Sequence, residues 1–467
     1  MKIDVMTKTV LTIVALLGSL FLHAETIPYP AVPGLRSSEV YSVSASGKPI
    51  WVEAVGCGGM EDLHVARWAA EGMQEVSISV ASPVTSWTVQ PKSAGIRARA
   101  EGNVLRFSFD GPGKFYVQID DLPFLALLAD APVVNAPSPK SKAVDYFGPG
   151  LHRVGEIPLH DNQTIYLSPG AHLVADFVGS ARNVHIFGPG SVDGRIRVER
   201  CEGLCVEDIF IRDTRHWVNR VIGSEHTVFR NVKVFSHTAV WGLDGIDPVS
   251  CRDFLIEDCF IRTRDDCISI KSKVLEGFDD PSSRDITVRG CLLVGWDHAD
   301  GVTLGFELNG GAVENILVQD CDILRARGSG RTGGHSAFSI VCDGASDVRN
   351  ICFEDIRVES DIEYKNLEII LTEAQRYGNG EMGSIKGVLL KDINWENPDR
   401  PFLIVGHPRG GNVEDVTFVN CRVAGKLLTG PQDADFKMEF TKGIRFVPGG
   451  EVRYERYPER WSHSVEN

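Results

Sequence analysis

Long hydrophobic runs are scarce in this 467-residue chain. The one extended apolar stretch, Thr9 to Leu22, is too short for a membrane span. Lys2 and Lys8 flank it and small Ala24 closes it, the layout of a secretory signal peptide. A mature chain beginning near Glu25, secreted or periplasmic and without a membrane span once the signal is cleaved, is therefore expected. Positive charge is in deficit too: the net charge is −15, which argues against nucleic acid as a partner and makes a strongly anionic substrate less comfortable. The eleven cysteines form no CxxC pair and no His/Cys cluster, so neither a metal nor a cofactor is expected. Gly328-Ser-Gly-Arg-Thr-Gly-Gly334 lacks the strand-to-helix setting and Lys/Ser pair of a phosphate loop and reads as a flexible loop. Helical 3.6-residue periodicity is missing as well, which disfavours alternating strand-helix folds.

What is present is β-structure of two kinds. From about Ile27 to Leu128 apolar and polar residues alternate, as in Glu75-Val-Ser-Ile-Ser-Val80 and Val104-Leu-Arg-Phe-Ser-Phe109, with a turn at Gly111-Pro-Gly113. Period-two alternation means sheets with one buried face, and a small β-sandwich is the natural solution. We assign 1–24 to the signal peptide, 25–130 to the sandwich, 131–144 to a linker, 145–450 to a second domain and 451–467 to a tail.

The second domain repeats itself. Val206-Glu-Asp-Ile-Phe-Ile211, Phe229-Arg-Asn-Val-Lys-Val234, Ile256-Glu-Asp-Cys-Phe-Ile261 and Val288-Arg-Gly-Cys-Leu-Leu293 are copies of one phrase, which recurs to Phe418-Val-Asn-Cys-Arg-Val423 at spacings of 23 to 37 residues. Each copy is a short strand, a bend at Asp, Asn or Gly, and a second short strand. A further Asn or Asp often precedes it, as at Asp253, Asp285, Asn315, Asn350 and Asp415. The expectation is an all-β fold: a β-solenoid, specifically a right-handed parallel β-helix of about ten coils, preceded by the sandwich. Most aspartates here are bend residues bonding their own backbone. Cys259, Cys291, Cys321 and Cys421 share a slot that Ile or Val fills in other copies, so they read as buried free thiols behaving as small hydrophobes.

Against that background Asp265 and Asp266 stand out, because they follow the phrase instead of occupying its bend. They lie 21 and 22 residues beyond Asp244, close to one turn of the helix, so three carboxylates are expected on one wall. Clustered like charges raise one another's pKa. Glycoside hydrolysis uses that outcome, with one acid kept protonated for the leaving oxygen and another ionised. An acidic turn or a calcium site is the alternative reading.

At these residues the chain resembles the polygalacturonase-like glycoside hydrolase family 28, whose β-helices carry Asn-Thr-Asp-Gly followed by Asp-Asp-Cys-(Val/Ile/Leu)-x-(Ile/Val)-(Lys/Asn). Leu243-Asp-Gly-Ile246 and Asp265-Asp-Cys-Ile-Ser-Ile-Lys271 correspond to the two blocks. The resemblance implies that Asp265 is the general acid, with Asp244 and Asp266 positioning the attacking water in an inverting hydrolysis. Both members of the Asp265–Asp266 pair can face one cleft only if a bend or bulge re-aims one of them.

The family next expects a Gly-His-Gly block. Here His298-Ala-Asp-Gly-Val-Thr-Leu-Gly-Phe-Glu307 aligns at Gly301, Thr303 and Gly305 but puts Asp300 where the histidine belongs, leaving His298 two residues earlier as the candidate. The family's Arg-Ile-Lys strand corresponds to Ser336-Ala-Phe-Ser-Ile-Val341, which has no cation; Arg327, Arg331 and Arg376 on loops are possible substitutes. A cleft lacking those cations does not favour a polyuronate, because a desolvated substrate carboxylate would go unpaired. The dextranase-like family 49 is similar in layout, with an N-terminal β-sandwich, a β-helix and a comparable aspartate trio.

Candidate substrate contacts are Asp300, Glu307, Lys271, Trp241, Trp296 and Arg331, with Trp217 as a further indole near the trio. The expected partner is a polysaccharide or oligosaccharide; oligomeric state is left open. A β-helix lyase and a non-catalytic carbohydrate-binding solenoid are the competing readings.

Overall fold

The computed structural model describes residues 25–449 except 58–59, 213–214, 237–241, 329–333, 374–376 and 410, with backbone alone at 57, 60 and 61. The alternating N-terminal segment builds two sheets. One joins Glu25–Pro28, Met60–Glu71, Leu125–Asp130, Gly113–Ile119 and Trp87–Gln90, with Val52–Cys57 alongside Met60–Glu71; the other joins Lys48–Ile50, Ser42–Ala45, Met73–Ser79, Val104–Asp110 and Arg99–Glu101. Trp68, Val76, Ile78, Leu105, Phe107, Phe109, Phe115 and Leu127 fill the space between them. The turn at Gly111 carries the chain from one sheet to the other, because its flanking strands belong to different sheets.

From Asp145–Phe147 to Arg445–Val447 the chain forms one 32-stranded sheet in which a strand generally pairs with the third strand after it, the connectivity of a coil with three walls. Pairing is parallel throughout save for the short Arg422–Val423 and Lys426–Leu427 pair. The repeated phrase stacks in register: Val206 pairs with Phe229, Phe229 with Ile256, Ile256 with Val288, Val288 with Val318 and Val318 with Phe353. Its bend residues Asp208, Asn231, Asp258, Gly290, Asp320, Asp355, Asp392 and Asn420 all take positive φ, the left-handed conformation that Asn, Asp and Gly tolerate best. Neighbouring bends bond side chain to side chain, as Asn231 to Asp208 (2.8 Å) and Asn420 to Asp392 (2.6 Å). Asp244, Asp265 and Asp266 are outside this left-handed set.

Ile, Val, Leu and Phe from all walls fill the axis of the coil, with Cys259, Cys291, Cys321 and Cys421 among them. Those four are free thiols. Among the described residues no helix is long and apolar enough to cross a membrane.

The sandwich covers one outer wall of the helix. Val55, Leu63, Val65, Tyr116, Ala126 and Leu128 pack on Phe210, Phe235, Phe260, Leu292, Val294 and Leu324. Buried ion pairs Lys233–Asp130 and Arg212–Glu53 cross the same boundary, and Arg262 donates to the Tyr116 hydroxyl at 2.9 Å. That leaves a neighbouring wall, built from Ile246–Val249, Ile268–Ser272, Val302–Leu308 and Ser336–Cys342, to carry the acidic residues.

Candidate active site

Asp265 and Asp266 lie on the bend between strands Phe260–Thr263 and Ile268–Ser272, so strand parity does not apply to them. The bend is tied by the Thr263 hydroxyl, which donates to the Asp265 carbonyl at 2.6 Å. Asp265 accepts from the Gly242 amide (3.1 Å) through Oδ2 and from the Asp266 amide (3.1 Å) through Oδ1, while Asp266 Oδ1 accepts from the Asp300 amide at 2.8 Å. Coil stacking places Asp244 directly before Asp266, because the Gly245 amide bonds the Asp266 carbonyl at 2.9 Å. Gly245 permits this approach: a Cβ there would meet the Cys267 carbonyl at 2.4 Å.

One cation holds the acids together. Buried Lys271 places Nζ 3.0 Å from Asp244, 3.5 Å from Asp247 and 3.7 Å from Glu307, and 4.3 Å from the centre of the half-buried Trp217 ring. Glu307 also pairs with Lys273 at 2.8 Å. Burial works against the Lys271 charge, but Asp244, Asp247, Glu307 and Asp266 outweigh it and hold the ammonium well above its usual range. Burial and then the charge of Asp244 push fully buried Asp247 well above the usual carboxylate range. The same two causes, burial first and Asp244 second, push Asp265 up to about 7. A carboxyl that keeps its proton close to neutral pH is what general acid catalysis requires.

The next coils extend the network. Asp300, fully buried, accepts from the Ser336 amide (2.8 Å), from the Ser339 hydroxyl and from His335 Nδ1 (3.2 Å), and His335 lies 3.8 Å from Asp266. Asp266, Asp300 and His335 bring three possible metal-ligand atoms within 4.8 Å of one another, with Asp300 already engaged by Ser336, Ser339 and His335.

The structure thus brings together Asp244, Asp265, Asp266, Lys271 and Glu307, with Asp300 one coil on. His298 is half-buried at the edge, its ring 6.0 Å from that of His335. Trp296 is instead drawn to the sandwich: Arg325 and Arg262 stack on it at 3.9 and 4.4 Å, and Phe124 meets it edge-on at 5.8 Å. These contacts make it a packing residue between the two units. Trp241, Arg331 and Arg376 lie outside the described residues, and Arg327 is bound to Asp361 at 2.6 Å. The strand Ser336–Cys342 carries no cation. Two members escaped the sequence reading. Asp247 lies in the Asp244 block, three residues on, and a count of outward positions would have found it. His335 lies 35 residues beyond Asp300, outside the repeated phrase.

Fold and site together define a parallel β-helix with a buried acidic cluster gathered around one lysine on an outer wall. Among solved structures it is similar to Dex49A from Penicillium minioluteum (TM-score 0.55, 11% identity, covering 90% of this chain and 96% of that one). It is also similar to an exopolygalacturonase from Thermotoga maritima (TM-score 0.51, 16% identity, 65% of this chain and 84% of that one). Residues 190–398, which hold the whole acidic cluster, match the model of glycosyl hydrolases family 28. A probable polygalacturonase from Vitis vinifera is 22% identical over 121 residues, a match spanning 25% of this chain and 23% of that protein.

Proposed function

We propose that the protein is a secreted polysaccharide hydrolase that inverts the anomeric centre, with Asp265 as general acid. The observation that carries this reading is the gathering of Asp244, Asp265 and Asp266 on one wall beside buried Lys271, where burial and the Asp244 charge push the Asp265 carboxyl up to about 7. In the proposed step Asp265 gives its proton to the glycosidic oxygen as the bond to the anomeric carbon breaks. A water attacks that carbon from the opposite face, passes its proton to Asp244 with Asp266 orienting it, and two shorter glycans leave. Secretion rests on the apolar segment before Glu25.

The uncharged strand Ser336–Cys342 favours a neutral sugar in the adjoining subsite, as in a pectin-related or neutral glycan. Against a lyase stands Lys271: an ammonium stabilised by Asp244, Asp247 and Glu307 is a poor proton-abstracting base. Incubation with a panel of plant and bacterial polysaccharides tests the proposal. New reducing ends without near-ultraviolet absorbance, lost in Asp265→Asn, with little turnover of unsubstituted polygalacturonate, are expected. Unsaturated products, or full activity in the variant, would overturn it.

A further inference from the structure

On the N-terminal side of the acidic cluster, the same wall changes sign. Arg197, Arg220 and Asp247 pair in register on successive strands and form one outward column. With strands about 4.8 Å apart, Arg197 lies roughly 10 Å from the cluster along the helix axis. Next to this column Asp176, buried, gathers three guanidinium groups: Arg195 at 3.1 Å, Arg197 at 3.3 Å and Arg215 at 3.4 Å. Glu156 pairs with Arg197 at 2.7 Å and Glu199 with Arg220 at 3.2 Å, but these carboxylates are 63% and 46% exposed, where water screens them. The Nε groups of Arg195 and Arg220 are buried and have no hydrogen-bond partner.

This stoichiometry differs from that of an ion ladder built for stability. On another wall Arg230 lies between Glu207 and Glu257, and Arg289 joins Glu257, so acids and bases alternate along the stack. Around Asp176 three cations share one buried acid, with exposed Glu156 also on Arg197, in a chain whose overall charge is −15. Like charges are costly to assemble unless an anion joins them, and guanidinium forks match carboxylate and sulfate geometry.

We propose that Arg195, Arg197, Arg215 and Arg220 form a subsite for an acidic substituent, a carboxylate or sulfate ester, on a sugar of the substrate bound N-terminal to the acidic cluster. The inference rests on the hydrolase reading and deepens it: the substrate carries a negative group on one side of the scissile bond and an uncharged sugar, facing Ser336–Cys342, on the other.

The test uses the full chain with Asp265→Asn, so that bound glycan survives, on a printed array of oligosaccharides in uronate, O-sulfated and uncharged forms of the same backbones. Acidic members are expected to bind at least tenfold tighter than their uncharged counterparts. Adding Arg197→Gln or Arg215→Gln should cut that ratio about tenfold, the size of one charge-assisted hydrogen bond. Arg215 is 72% exposed, so its replacement keeps the test valid even where Arg197→Gln fails to fold. A response confined to uronate or to sulfate forms supports the subsite and identifies the anion. Equal binding of charged and uncharged forms, or a ratio unmoved by both variants, overturns it. If the active protein then hydrolyses an uncharged glycan, the subsite alone has failed; if it hydrolyses none, the hydrolase reading has failed with it.

Discussion

Replacing Asp265 by Asn should make the protein more stable at pH 8 while abolishing its chemistry. In the folded state burial and the neighbouring Asp244 charge push the Asp265 carboxyl up to about 7, against an ordinary value of 3.8. Between those two pH values the folded state binds a proton that the unfolded chain does not. The stabilisation is therefore fully present below about 3.8 and lost as pH rises through about 7. The gap corresponds to about 4 kcal/mol at 1.36 kcal/mol per pH unit. At pH 8 the wild type carries that penalty as an ionised, poorly solvated carboxylate; the amide does not. Denaturant titrations of both proteins at pH 4 and pH 8 measure the difference. The variant should gain stability relative to wild type by up to about 4 kcal/mol on going from pH 4 to pH 8. A difference independent of pH, or a variant less stable than wild type at pH 8, would refute the argument that Asp265 is held protonated by its surroundings. The same ionisation predicts that hydrolysis by the wild type declines above about pH 7 as the acid loses its proton.

Lys271→Met should cost about 3–5 kcal/mol and abolish hydrolysis, because it leaves Asp244 and Asp247 buried without their cation. Adding Asp244→Asn should recover part of that stability but not the activity; no recovery in chemical denaturation would show that Asp244 is not the charge Lys271 offsets.

Much of the fold was legible because stacking imposes a local rule. A coil needs a left-handed residue where it turns, so Asp208, Asn231, Asp258 and their counterparts recur in the sequence and mark the solenoid directly. The same regularity exposed Asp244, Asp265 and Asp266 as acids without a turning role, while Lys271 was named as the last residue of the block that resembles family 28. What depends on contacts between units was not legible. Trp296 precedes the His298 block in sequence, yet its partner Phe124 comes from the sandwich, and no pattern local to either segment announces that meeting. Nor could composition reveal the arginine cradle, since Asp176, Arg195, Arg197 and Arg215 are ordinary charged residues until two coils and a bend bring them together. His335 was missed for another reason: it falls 35 residues beyond Asp300, outside the repeated phrase that set the register.

The anomeric configuration of the first product bears most directly on the claim that Asp265 and Asp244 act as acid and water-activating base on opposite sides of one sugar. Proton NMR of the earliest hydrolysis products, recorded before mutarotation, should show the anomer opposite to that of the glycan cleaved. Release of the same anomer would mean that one of these aspartates attacks the sugar itself, and would contradict the mechanism.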